Sequence, residues 1–159
     1  MIPPRTVPIL RLILVLAALL VLLVQVFVLP FMAADMAAMD PVVAHLRWPV
    51  LALSISTLAC VQFVMVGTWK LLDAVHVERI FDPSSLVWAS RIEKALMLAG
   101  WLMLVTALLV FNAPVGHLMV TLGVTAGVVA FFGVGLLMRV MRGLLERATS
   151  LQDEMTGVI

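Results

Sequence analysis

The residues of this chain best suited to hold a ligand are its methionines and histidines. Met32, Met36 and Met39 fall at i, i+4 and i+7, so on a helix they share one face, and Asp40 and His45 follow them. Thioether sulfurs suit soft Cu(I). His45 and His117 would supply paired imidazoles, a common axial set for haem, if the chain brought them together; His76 falls elsewhere. The opposing reading is plainer: the chain carries 11 methionines, and methionine is an ordinary filler of apolar surface. Cys60 is the single cysteine. It excludes an internal disulfide, a cysteine-based zinc site and paired-thiol chemistry, and within its apolar run it reads as a small buried hydrophobe. We expect no metal site and no cofactor.

The elements that must position these residues follow from composition. The chain has 159 residues, of which 64% are hydrophobic and 12% charged, against about 45–50% and about 25% in a soluble domain. That charge is too sparse to cover a water-facing surface. At about 20 residues per membrane crossing, the length allows four or five spans and little else. Net charge is +1, with no basic run of the kind that binds nucleic acid directly.

Four uncharged stretches predict the spans 12–34, 48–69, 95–111 and 118–138. The first follows Arg5 and Arg11 and is too long for the apolar region of a cleaved signal peptide. Its continuation through the methionines reads as an amphipathic helix lying on the outer surface. The second is framed by Trp48 and Trp69, whose indoles favour membrane interfaces, with Pro49 near its start. The last two come from one stretch, 95–138, without Asp, Glu, Lys or Arg, split into a hairpin by Asn112-Ala113-Pro114-Val115-Gly116-His117.

Lysine and arginine in the connections set the orientation. With the N-terminus inside, Arg5, Arg11, Lys70, Arg79, Arg91, Lys94, Arg139, Arg142 and Arg147 are cytoplasmic, and Arg47 alone of the 10 basic residues is outside. Both termini are therefore expected in the cytoplasm. The charged segments 70–94 and 139–154 read as a helical stalk, helices two, three and four continuing beyond the lipid. Asp82 and Pro83 supply an N-cap and first-turn proline for the third helix. Val140, Leu144, Ala148 and Leu151 make one apolar face expected to pack on the stalk. The fold class expected is all-α: a single-domain integral membrane four-helix bundle with both termini inside.

Catalysis would call for ionisable groups placed together, and ionisable residues within the membrane are by default functional candidates; the four spans hold none. Gln25, Ser54, Ser56, Thr57, Gln62, Thr106, Thr121 and Thr125 are the polar side chains there, suited to interhelical hydrogen bonds. Gly123 and Gly127 form a GxxxG pair, with Ala130 continuing it, that lets a helix approach closely, either within the chain or against another.

A second span ending in a charged helix, the cap Phe81-Asp82-Pro83, Arg91 and Lys94 leading into the third span, and a terminal Leu151-Gln152-Asp153-Glu154 together resemble the bacterial membrane family called domain of unknown function 2975. The resemblance covers nearly the whole chain. It implies a four-helix integral membrane protein, often encoded beside a small helix-turn-helix regulator, with no activity or catalytic residue to carry over. The expectation is thus a non-enzymatic multi-pass protein acting through contacts: a sensor or regulator of a cytoplasmic partner, or an accessory subunit of a membrane complex, with homo-oligomers also allowed. The alternatives are a small transporter or channel lined by Gln25 and the threonines, and a metal- or haem-binding protein using the outer Met and His residues.

Overall fold

The computed structural model describes residues 6–39, 41–76, 83–113 and 118–156. These residues are helical almost throughout. Helix α1 is Thr6–Leu23, followed without a break by a π turn over Val24–Val28 and by α2, Leu29–Met39. A 3-10 turn, Pro41–Leu46, leads into α3, Arg47–His76; α4 is Pro83–Phe111 and α5 is Leu118–Thr156. Within them lie four stretches long and apolar enough to cross a membrane: Pro8–Met39, Ala44–Asp73, Val87–Phe111 and Leu118–Ala148.

Proline explains the interruption of the first stretch. Pro30 has no N–H to give and its ring crowds the carbonyl four residues earlier. The helix accommodates it by widening one turn: the Leu29 N–H bonds to the Val24 carbonyl, five residues back. The methionine segment is therefore the continuation of the first spanning helix, and α2 packs on α3. The expected separate surface helix is not formed.

Proline also opens α4, at the first-turn position the sequence implies, where the missing donor costs least. At the other end, Asn112 and Ala113 bend the backbone into the hairpin: the Asn112 N–H reaches the Leu108 carbonyl at 3.2 Å and its side-chain amide reaches the same carbonyl at 2.7 Å. Asp40, the segment 77–82, which includes Asp82, and the segment 114–117, which includes His117, lie outside the described residues.

The helices pack mainly as chain neighbours. α3 lies against α4 and α4 against α5 along their lengths, while α1 and α2 make smaller contacts with α3. The core accordingly sits on α4, where Ile92, Ala95, Leu96, Ala99 and Ala107 are buried. Small residues set the close approaches. Gly67 of α3 faces Ile92, so closely that a Cβ there would lie 2.7 Å from the isoleucine Cγ1. Gly100 sits under the Phe132 ring of α5, which also meets Trp101 edge-on at 5.7 Å.

The GxxxG pair divides. Gly127 adjoins Met103 of α4, whereas nothing lies within 4 Å of a Cβ placed at Gly123. Successive helical residues turn by about 100°, and only the Gly127 edge of the motif turns toward α4.

Candidate functional site

Charge is concentrated at the end of the helix array shared by the start of α1, the end of α3, the start of α4 and the end part of α5. Glu93 is its centre. It stands between exposed Arg91 and Lys94 on α4, yet is only 5% exposed itself. Arg139 donates through Nε to its Oε1 at 2.7 Å, and Arg142 through Nη1 to its Oε2 at 3.1 Å. Arg142 also donates through Nε to Glu146 one turn further along α5, at 2.8 Å. Two carboxylates and two guanidiniums thus neutralise one another, which is how a charge is tolerated in so dry a place.

A second tie joins α1 to α3. Arg11 pairs with Asp73, and its guanidinium lies 5.7 Å from the centre of the Trp69 ring. On α4, Arg91 covers the Trp88 ring at 4.9 Å, and Trp88 in turn meets Phe63 of α3. A cation over an indole suits the edge of a membrane, where the ring can sit in the headgroup layer and the charge in water.

Chemically, this arrangement fastens helices. Both oxygens of Glu93 accept charge-assisted hydrogen bonds from fixed guanidiniums, which leaves it poorly placed to take a proton from a substrate. The stretch Val87–Phe111, long and apolar enough to cross a membrane, includes Glu93; the spans drawn from uncharged stretches excluded it.

Deeper in the array the polar side chains behave differently from expectation. Ser56, Thr57, Thr68, Thr106 and Thr125 each donate to a carbonyl four residues earlier in their own helix, at 2.8–2.9 Å. A hydroxyl in a dry helix finds that acceptor without needing a neighbour, so Ser56, Thr57, Thr106 and Thr125 do not donate the interhelical hydrogen bonds expected of them. Gln25 does make one: its Nε2 donates to the Ile55 carbonyl of α3 at 3.0 Å, from within the π turn. Thr57 and Thr106 are buried while Thr125 is exposed.

The candidate ligand residues are dispersed. Met32, Met36 and Met39 are all exposed on α2, and His45 is exposed at the end of the 3-10 turn. Cys60 is half-buried in α3. Among the described residues no three His, Cys, Asp or Glu side chains gather so as to hold a metal ion.

A family model described as Protein of unknown function (DUF2975) matches residues 31–159. The chain belongs to this family. Searches of curated proteins and of solved structures find no match. The DUF2975 segment begins one residue after Pro30, so it holds α3, α4 and α5 with the whole Glu93 network. Helix α1, carrying Arg11, and the π turn, carrying Gln25, precede it.

Two positions change meaning once the DUF2975 core is seen in three dimensions. Arg142, which the sequence groups with the basic residues expected in the cytoplasm, is committed to Glu93 and Glu146. The face of Val140, Leu144, Ala148 and Leu151 does not pack on the stalk: all four are exposed. Arg139 and Arg142 reach Glu93 from one side of α5, and that turns the apolar face away from α4.

Proposed function

We propose that the chain is a non-enzymatic multi-pass protein of the bacterial inner membrane, with both termini in the cytoplasm, that works by binding other proteins through its charged end. The observation that carries this reading is the length and exposure of α5. Its 39 residues are about 58 Å long at about 1.5 Å per residue, against a hydrocarbon core of about 30 Å. What stands beyond Arg139 is helical, carries exposed Glu146, Arg147 and Ser150, and is held upright by the Glu93 network. The basic residues of this end, against Arg47 alone at the other, support placing it inside.

Labelling tests the orientation. In a Cys60→Ser background, His45→Cys should react with an impermeant maleimide in intact cells, and Ser150→Cys only after permeabilisation. The reverse pattern overturns it. Copurification from native membranes at low detergent tests the contact: Arg91→Glu and Arg147→Glu should reduce recovery of a cytoplasmic partner at least several-fold. A stably folded pair of variants that recovers every partner unchanged removes this reading.

A further inference from the structure

We propose that Lys70, Arg91 and Lys94 form a site for the phosphodiester headgroup of an anionic phospholipid, at the charged end of the groove between α3 and α4. This rests on the membrane reading above and adds to it a ligand that is not a protein.

The site is made of the cations that the helix ties leave over. Arg11 is taken by Asp73, Arg139 by Glu93, and Arg142 by Glu93 and Glu146. Among the described residues, none of these ion pairs involves Lys70, Arg91 or Lys94, and all three are exposed.

Rotation and register bring the three together. Arg91 lies two residues before Glu93, about 200° around α4, so it faces away from the side of α4 that meets α5. Lys94 follows at i+3, where side chains on a helix are neighbours. On α3, Phe63, Gly67 and Lys70 fall at i, i+4 and i+7 and share one face. Gly67 fixes that face on α4, since a Cβ there would lie 2.7 Å from Ile92 and 3.9 Å from Trp88. The two helices pack along their lengths and are joined by the short segment 77–82, so they run antiparallel. One turn past Gly67, Lys70 therefore comes level with the part of α4 that holds Trp88. The Trp88 ring meets Phe63 of α3 at 6.5 Å between centres, and Arg91 covers Trp88 at 4.9 Å. Three unpaired cations thus stand around a floor of two rings that bridges α3 and α4.

What lies below the charges decides the ligand. Phe63 is seven residues from Lys70 and Leu98 seven from Arg91, each about 10 Å deeper along its helix. Phe63 is 42% exposed and Leu98 53% exposed. Asp73 ends the apolar stretch of α3 and Val87 begins that of α4, which puts Trp88 and Arg91 at headgroup level, where an indole and a long basic side chain are both favoured. A free phosphate would use the cations alone. A phospholipid uses both halves of the groove, its phosphodiester among the cations and its acyl chains along Phe63 and Leu98. Basic pockets between membrane helices at this level suit anionic headgroups.

Native mass spectrometry of the full chain in detergent, titrated with dioleoyl phosphatidylglycerol or dioleoyl phosphatidylcholine, tests the proposal. One cation beside an anionic lipid surface is worth about a factor of five. The first phosphatidylglycerol should therefore bind at least about tenfold more tightly than phosphatidylcholine, whose choline offsets the phosphate charge. Arg91→Gln should weaken phosphatidylglycerol binding about fivefold, whereas Arg147→Gln, which removes the same charge from α5, should leave it unchanged. Lys94→Gln leaves every ring contact and ion pair above in place and should weaken binding by a similar factor, which separates loss of the site from loss of the fold. Excess inorganic phosphate should not displace the lipid. Equal affinity for the two lipids, equal losses in Arg91→Gln and Arg147→Gln, unaltered binding in Lys94→Gln, or displacement by phosphate overturns the proposal. Solubilised chain has no inner or outer side, so such a failure with the expected maleimide pattern strikes this site alone. The reversed maleimide pattern strikes the orientation instead.

Discussion

Removing the two arginines from Glu93 should damage the protein more than removing the charge of Glu93, and the two damages should partly cancel. Glu93 is 5% exposed, so a carboxylate left there without Arg139 and Arg142 is a buried uncompensated charge. Breaking a buried pair in this way costs about 3–5 kcal/mol. Arg139→Ala alone should cost less, about 1 kcal/mol or below, because that side chain is two-thirds exposed and Arg142 still holds the second oxygen. Glu93→Gln keeps the shape and an acceptor while giving up hydrogen bonds to a charged group, a loss of about 1.5–3 kcal/mol. In that variant Arg142 keeps Glu146 and Arg139 turns to water. Adding Glu93→Gln to the Arg139→Ala/Arg142→Ala pair should therefore restore about 1–3 kcal/mol, roughly a factor of 5 to 150 in the folding equilibrium. Equilibrium unfolding in mixed micelles, followed by tryptophan fluorescence, reads this, since Trp101 reports the α4–α5 contact through Phe132. A triple variant no more stable than the double would refute the claim that these arginines exist to hold a buried carboxylate.

Other substitutions test the packing. Gly67→Ala should cost about 1–3 kcal/mol in the same assay, as overpacking does, because its Cβ would meet the Ile92 Cγ1 at 2.7 Å; Ile92→Ala should recover part of that loss, and additive effects would sink the idea. Gly143→Ala should stabilise by about 0.8–1 kcal/mol, since a Cβ there meets nothing within 4 Å, and a destabilised variant would mean that the surface is covered within the chain. Gln25→Leu removes a hydrogen bond from the π turn to α3 worth about 0.6 kcal/mol and should speed amide exchange in α1 while leaving α4 unchanged; equal α1 exchange in the variant and the unaltered chain would show that the bond does not fasten α1.

Much of the architecture was legible because charge is so scarce. Uncharged stretches pointed to four helices, and the described residues hold four long and apolar enough to cross a membrane; Asp82-Pro83 pointed to a helix beginning at Pro83, where α4 starts. The Glu93 network was missed although arithmetic could have found it. A hairpin centred near residue 116 sets Glu93, 23 residues before, opposite Arg139, 23 residues after. Charges at the ends of an uncharged run look like solvated anchors, and nothing in their spacing along one helix shows that they face a neighbour. The hydroxyls failed for a related reason: Thr106 can satisfy itself on its own helix as well as across to another, and the sequence is the same in both cases. The order of packing was also hidden. In water a helix shows its buried side by contrast with a polar one, but α1, α4 and α5 are apolar on most sides, so sequence does not say that α4 lies in the middle.

Within lipid, apolar contact has little direction: leucine gains almost as much from an acyl chain as from another helix. What orients these helices must therefore be shape and charge. Shape acts where Gly67 admits Ile92 and Gly100 admits Phe132, which sets how closely α3 and α5 approach α4. Charge sets rotation, because Glu93 can be satisfied by Arg139 and Arg142 only when one side of α5 faces it. Fixing one side of α5 also fixes the other, so the same network that closes the α4–α5 contact decides which residues the far face of α5 presents. The buried carboxylate and the exposed apolar face of α5 are in this sense one feature, and a change at Glu93 acts on both.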